Sequence, residues 1–460
     1  MKKGIKKLII LALTFALVLS SFNIAIAKKS DIDDRDYIRV GLYWGSTSKN
    51  EVKLESADGF IVYDENLNYI ETIDKTSLVI NTSSDLIRHK EFVYFMSAAD
   101  DIDDRKITLT ADSSKKVYRD GIGIYENSGL RIINYVTIDH YAWGVVNREM
   151  SSSNPEEALK AQAVAARTYA YRIKFAENSK HLTYGFDVCT TTDCQVYGGC
   201  SSESDKTTQA CIDTAGEIMV YDGSPIFAYF SAASGGGYTQ SLYDAWGLDD
   251  VPYLQSKKDE YTPTSNWSFY NTFDEIRSKI KNYYGSDIGT IQKFEITNTN
   301  DHGAATQITV TGSKGTKIVP RSQLMSVFNL KSTCFVLGAK DYIEFERNNS
   351  AGSVASNIQG LTGKVYVLSA DGLNTIKAEK MYIYNGSSTF KYEPNSFEKI
   401  SYKSEVCDKG YVYWTGQGNG HGIGLSQTGA IAMARDYGFD YKDILEYYYI
   451  DVDIIDYLDL

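Results

Sequence analysis

Basic charge, proline and cysteine are all scarce in this chain of 460 residues. Its 47 Lys and Arg face 59 Asp and Glu, a net charge of −12, so there is no global cationic face for gripping nucleic acid or an anionic bilayer. Six prolines exclude a proline-rich stalk. Six cysteines are too few for a disulfide scaffold, yet enough for one or two bridges or one metal site. Beyond residue 27 no apolar run reaches the length that crosses a bilayer. What is present, 43% hydrophobic and 13% aromatic residues, describes globular domains, and at about 150 residues per domain the length allows two or three.

Lys2, Lys3, Lys6 and Lys7 precede the apolar run Leu8 to Leu19, and Ala25-Ile26-Ala27 supplies a small-residue cleavage site. This predicts a signal peptide over 1–27, with an uncleaved membrane anchor as the alternative. Either way the remainder works outside the cytoplasm, and a membrane is a partner only if the leader stays. Removing the four leader lysines takes the net charge to −16.

The patterning predicts an α+β protein. Residues 28–36 are charged and expected to be disordered, and strand-like alternation begins at Tyr37 to Tyr43, continuing through a β-rich section over 28–116. The pentapeptide Asp-Ile-Asp-Asp-Arg occurs at 31–35 and again at 101–105, which is no repeat array. Between Thr137 and Phe175 the period turns helical. Ile138, Ala142, Val145 and Glu149 share one stripe. A second helix opens with Asn154 as the expected N-cap, Pro155 at the first position and Glu157 three residues after the cap. Its alanines at 158, 161, 163, 165, 166 and 170 permit close packing. Further on we expect a strand over 225–231, a helix over 272–284, strands over 364–368 and 380–384, a strand over 410–414 and helices over 426–437 and 441–448.

Three segments carry a resemblance. They are Asp139-His140-Tyr141-Ala142-Trp143-Gly144-Val145-Val146-Asn147-Arg148-Glu149-Met150 with the helix from Glu157 to Ala170; Cys189 to Tyr197 with Gly235-Gly236-Gly237-Tyr238-Thr239; and Gly418-Asn419-Gly420-His421-Gly422-Ile423-Gly424-Leu425-Ser426-Gln427. Together they resemble the family of stage II sporulation protein D and the amidase enhancer LytB. The resemblance implies a catalytic unit in two parts, 117–260 and 405–460, flanking a β-rich inserted section over 261–404. It also implies a peptidoglycan lytic transglycosylase that cleaves MurNAc–GlcNAc bonds of peptide-stripped glycan strands and leaves a 1,6-anhydro end. Some relatives are instead described as non-catalytic enhancers of a cell-wall amidase, which makes an amidase a second candidate partner.

Glu149 matches the family's catalytic glutamate. Its apolar stripe and its place at a helix C-terminus should both raise its pKa, as a general acid requires; a helix-end Glu paired with Arg148 or Lys160 is the plain alternative. Gln162 and Arg167 are polar residues in an alanine-rich helix. Solvent exposure is the simple expectation for both, while the resemblance assigns substrate binding to Gln162 and a structural role to Arg167. His421 and Gln427 supply polar groups within alternating glycines that lack the spacing of a phosphate loop and would let the backbone approach a sugar closely, and Tyr238 offers a ring face to a sugar; His421 as a purely structural residue stands beside the substrate-binding reading. No cofactor is required. The resemblance allows a structural zinc on His181, Cys189 and Cys194, with Asp193 where relatives would carry His; a Cys189–Cys194 disulfide or a buried thiol pair are the alternatives. A Cys and His hydrolase built from Cys189 or Cys200 with His421 lacks its local signatures.

Overall fold

The computed structural model describes residues 32–88, 90, 92–176, 180–338 and 410–460, and the backbone of six short strands between 342 and 403. The leader at 1–27 and Cys407 lie outside the described residues. The fold is α+β, with a β-rich N-terminal part. The chain forms two units, Met1–Ala228 with Ala434–Tyr447 and Asp451–Leu460, and Tyr229–Met433 with Tyr448–Ile450. Among the described residues no helix is long and apolar enough to cross a membrane.

The first unit begins with ten strands: β1 (Tyr37–Tyr43), β2 (Glu51–Glu55), β3 (Phe60–Tyr63), β4 (Tyr69–Ile73), β5 (Ser77–Asn81), β6 (Val93–Ser97), β7 (Lys106–Ala111), β8 (Ser114–Arg119), β9 (Gly121–Glu126) and β10 (Leu130–Thr137). With the two-residue β11 (Val188–Cys189) they make a seven-stranded sheet, β11-β1-β10-β9-β6-β3-β4, and a four-stranded one, β5-β2-β7-β8. Sequence alternation sets the faces: Val52 and Leu54 of β2 and Ile107 and Leu109 of β7 point inward while their neighbours do not. β6 is buried along its whole length between β3 and β9.

The repeated pentapeptide has a structural meaning. Asp33 caps a 3-10 turn at Asp34–Asp36 by accepting the Arg35 amide, and Asp101 caps Ile102–Asp104 by accepting the Asp103 amide. Each turn then docks an aspartate near the end of β10. Asp34 accepts the Tyr135 hydroxyl at 2.8 Å, and Asp103 lies 3.1 Å from His140 Nε2. Residues 33–36 are therefore ordered, which corrects the expectation of disorder over 28–36.

Helices α1 (Ile138–Glu149) and α2 (Glu156–Lys174) follow β10. Thr137 caps α1 by accepting the His140 amide. The expected Asn154 cap on α2 is absent: Pro155 takes the cap position in extended backbone, and the Asn154 side chain donates to Ser151 O, closing the turn before it. All six alanines named above are fully buried, so α2 is apolar around most of its girth, as a helix enclosed by other elements must be. It packs on α1, on α3 (Asp205–Asp213) and on β12 (Glu217–Tyr221), whose free edge is paired antiparallel by the strand Asp453–Asp456. At Gly144 on α1 a Cβ would meet the Tyr197 ring at 2.4 Å, so only glycine admits that ring.

The second unit holds two antiparallel three-stranded sheets. One orders β13 (Asn266–Thr272), β18 (Tyr411–Gln417) and β17 (Phe335–Gly338); the other orders β14 (Ile291–Thr299), β15 (Ala305–Gly312) and β16 (Gly315–Pro320). Helices α4 (Phe273–Tyr284) and α5 (Arg321–Phe328) close a core around Trp414, Phe294 and Phe328. The strand expected over 225–231 shrinks to two short pieces that pair with different partners, Ser224–Pro225 antiparallel with β12 and Phe230–Ser231 parallel with Leu425–Ser426. The helix expected over 426–437 is α6 (Gln427–Ala432) followed by a π turn, Met433–Tyr437.

Candidate functional site

α1 delivers Glu149 to its C-terminal end, half-buried, where Oε1 accepts the Val196 amide at 2.8 Å. The segment carrying that amide is stitched down on both sides. Tyr141 donates to Gln195 Oε1 at 3.0 Å, Gln195 Nε2 donates to Ala166 O, Tyr197 donates to Asn134 Oδ1 at 2.5 Å and the Gly198 amide donates to Gly144 O. A charge-assisted bond from a fixed amide holds a carboxylate in one orientation. Lys160, considered above as a partner for Glu149, engages Glu156, Glu157 and Asp213. Val196 escaped sequence reasoning because the donor is backbone and leaves no mark in residue type.

Just before Val196, four potential metal donors converge. One atom from each of His181, Cys189, Asp193 and Cys194 lies within 4.8 Å of the others. Cys194 Sγ is 3.4 Å from His181 Nε2, and His181 Nε2 is 3.7 Å from Asp193 Oδ2. Tetrahedral zinc with ligands at about 2.0–2.3 Å has donor–donor edges of roughly 3.3–3.8 Å; the two edges above fall in that range, and the residue types are those zinc prefers. The scaffold around it is rigid. Cys189 sits on β11 beside Gly41 of β1, and the preceding Asp187, fully buried, accepts the Arg39 amide and its guanidinium. The His181 ring stacks on Phe186 at 4.8 Å and meets Trp44 edge-on. A hydrogen bond with Cys194 pushes the Cys189 thiol below the usual thiol range, against the opposing effect of burial.

Gln162 and Arg167 on α2 are both fully buried, which corrects the expectation of solvent exposure. Arg167 Nε pairs with Asp139 Oδ1 at 2.7 Å, and its two terminal nitrogens donate to Glu217 O and Cys211 O at 3.1 Å, so one guanidinium ties α1, α2, α3 and β12.

In the second unit the glycine loop before α6 runs through left-handed backbone at Gly418, Gly420, Gly422 and Gly424. The reason differs from the one the sequence suggests. A Cβ at Gly424 would meet Tyr229 O at 2.1 Å and one at Gly418 would meet Gly235 Cα at 2.7 Å, so the glycines let the loop lie against the 229–235 backbone. His421 is half-buried against Trp246, at 5.1 Å, and Tyr229. Its Nδ1 accepts the Ile423 amide at 3.0 Å, and burial pushes its pKa down to about 4 against a hydrogen bond with the Phe230 backbone. Gln427 is buried at the start of α6, and Tyr238 stacks on His302 at 4.0 Å, which occupies one face of its ring.

The His421 shift has a measurable consequence. A histidine ordinarily titrating near ~6.5 and held near 4 in the fold binds its proton more readily when unfolded. Its contribution to stability is therefore complete above about 6.5 and is lost as pH falls toward about 4. We expect the unfolding midpoint of His421→Gln to respond less to acidification across that window than the parent; parallel slopes in a pH series would refute the assignment.

The stage II sporulation protein family model matches residues 126–221, the stretch that contains α1, α2, Glu149 and all four converging donors. An uncharacterised protein of Brachyspira hyodysenteriae is 30% identical over 334 residues, 72% of this chain and 70% of that protein. The amidase enhancer of Bacillus subtilis is 30% identical over 306 residues, 66% of this chain, which spans 39% of the enhancer's length. Stage II sporulation protein D of Bacillus amyloliquefaciens is 28% identical over 359 residues, 75% of this chain and 82% of that protein. The motifs, the matched domain and these relatives agree, and the chain belongs to the family of stage II sporulation protein D and the amidase enhancer.

Proposed function

We propose that this protein is an exported peptidoglycan lytic transglycosylase acting on peptide-stripped glycan in sporulation or wall remodelling. The observation that carries the reading is Glu149, a half-buried carboxylate at a helix end, aimed by a fixed backbone amide inside the family-matched segment. In the mechanism, Glu149 gives its proton to the oxygen linking MurNAc C1 to GlcNAc, and that C1–O bond breaks. The resulting carboxylate takes the proton of the MurNAc C6 hydroxyl, whose oxygen closes on C1 as the 1,6-anhydro ring. One carboxyl group serves twice and no water enters, so the second carboxylate of ordinary glycosidases is not needed. His421, Gln427 and Tyr238 are the glycan contacts we assign to the second unit.

A zinc held by His181, Cys189 and Cys194 would supply structure rather than chemistry, fixing the loop that carries the Val196 amide. The similarity to the Bacillus subtilis amidase enhancer favours a second reading, in which the protein binds glycan or an amidase and accelerates the amidase without cleaving glycan itself. Digestion of purified peptide-free glycan, read by mass spectrometry with and without a wall amidase, separates the two. Anhydro-ended fragments from the protein alone are expected; no fragments alone, with a faster amidase when both are present, would establish the enhancer reading instead.

A further inference from the structure

We propose that Asp193 is the fourth ligand of a divalent metal centre completed by His181, Cys189 and Cys194, and that Lys180 is the charge partner that makes an oxygen ligand tolerable there. The proposal rests on the metal reading above and is independent of glycan cleavage. Geometry supports it first. Asp193 directs one carboxylate oxygen, Oδ2, to 3.7 Å from His181 Nε2, within the converging donor set. The other, Oδ1, lies 2.7 Å from Lys180 Nζ, which also donates to Asp193 O at 2.5 Å. The carboxylate thus bridges the cluster and a lysine, the arrangement in which ligating carboxylates are held by a hydrogen-bonded partner.

Charge explains why the lysine is needed. Two thiolates and a carboxylate carry three negative charges against the two positive charges of the ion, so the bare centre would be anionic. Lys180 restores neutrality through one short ion pair. A neutral imidazole at position 193 would leave the centre neutral without help, so the aspartate and the lysine belong together as one device. The oxygen ligand is also the solvent-facing one, since the Asp193 side chain is 60% exposed whereas Cys189 and His181 are buried. Metal exchange and chelators would therefore enter on the Asp193 side.

Cobalt substitution of the full-length protein tests this without reference to activity. With Co²⁺ as the probe, the parent should bind one ion per chain and show a thiolate charge-transfer band with tetrahedral visible bands. Asp193→His should keep both and move the visible bands, because a nitrogen replaces an oxygen donor. Lys180→Gln should weaken Zn²⁺ binding on the order of 10- to 100-fold in the parent background, and by much less in the Asp193→His background. Unchanged visible bands in Asp193→His, or an equal effect of Lys180→Gln in both backgrounds, would overturn the proposal, as would a metal-free protein with Cys189 and Cys194 joined as a disulfide.

Discussion

Glu149→Gln should lower the release of anhydro-ended products from denuded glycan by roughly 100- to 10,000-fold, the usual loss when a positioned proton donor is removed. The substitution is close to isosteric, and the variant's amide oxygen can still accept the Val196 N–H that fixes the parent carboxylate at 2.8 Å. What disappears is the titratable proton, while the seat remains. Unfolding midpoints of parent and variant should therefore nearly coincide. Activity retained within a few fold, measured on the same glycan by mass spectrometry, would remove Glu149 from the mechanism. A loss of activity accompanied by a large drop in midpoint would mean that the carboxylate holds the Val196 loop instead of performing chemistry.

The largest stability effect should come from Arg167→Met. The methionine roughly fills the apolar stem but leaves Asp139 without its 2.7 Å ion-pair partner and strips donors from Glu217 O and Cys211 O. Breaking a buried pair from one side costs about 3–5 kcal/mol, because the stranded groups cannot reach water. Asp139 is 27% exposed and Arg167 fully buried, so the carboxylate regains some hydration and the lower end of that range applies. Urea unfolding followed by circular dichroism would measure it. A change below about 1 kcal/mol would show that water replaces the guanidinium at the two carbonyls.

Periodicity made the helical heart of the first unit readable. The stripe Ile138, Ala142 and Val145 and the alanine run of α2 are buried as the spacing implies. The place of Glu149 at the C-terminal end of α1 was legible in the helical stripe, and so was the proximity of Cys189 to Cys194, since a short loop leaves little freedom between them. Three things were not legible, for different reasons. The Asn154 cap failed because two local hydrogen bonds competed for one side chain and the turn won. Arg167 reads as a surface residue by type, and its burial depends on carbonyls that only the assembled fold supplies. The glycine loop reads as an opening for a ligand, whereas the space its missing side chains leave is filled by Tyr229 and Gly235.

One feature of the first unit sets the order of events during synthesis. Its β12 edge is closed by Asp453–Asp456, and Tyr441 reaches back to Glu217 across 224 positions and to Glu157 across 284. At roughly 5–20 residues per second these partners emerge about 10–60 s after the elements they complete. During that interval α2 and β12 exist without their closing strand, and an unpaired strand edge is a template for wrong partners. The second unit waits as well, since its segment Tyr448–Ile450, where Tyr448 donates to Asp259 and Tyr449 to Tyr229 O, emerges after Tyr441. A chain truncated before residue 441 should therefore leave the first unit open to protease, a vulnerability that ends only when Tyr441 and Asp453–Asp456 arrive.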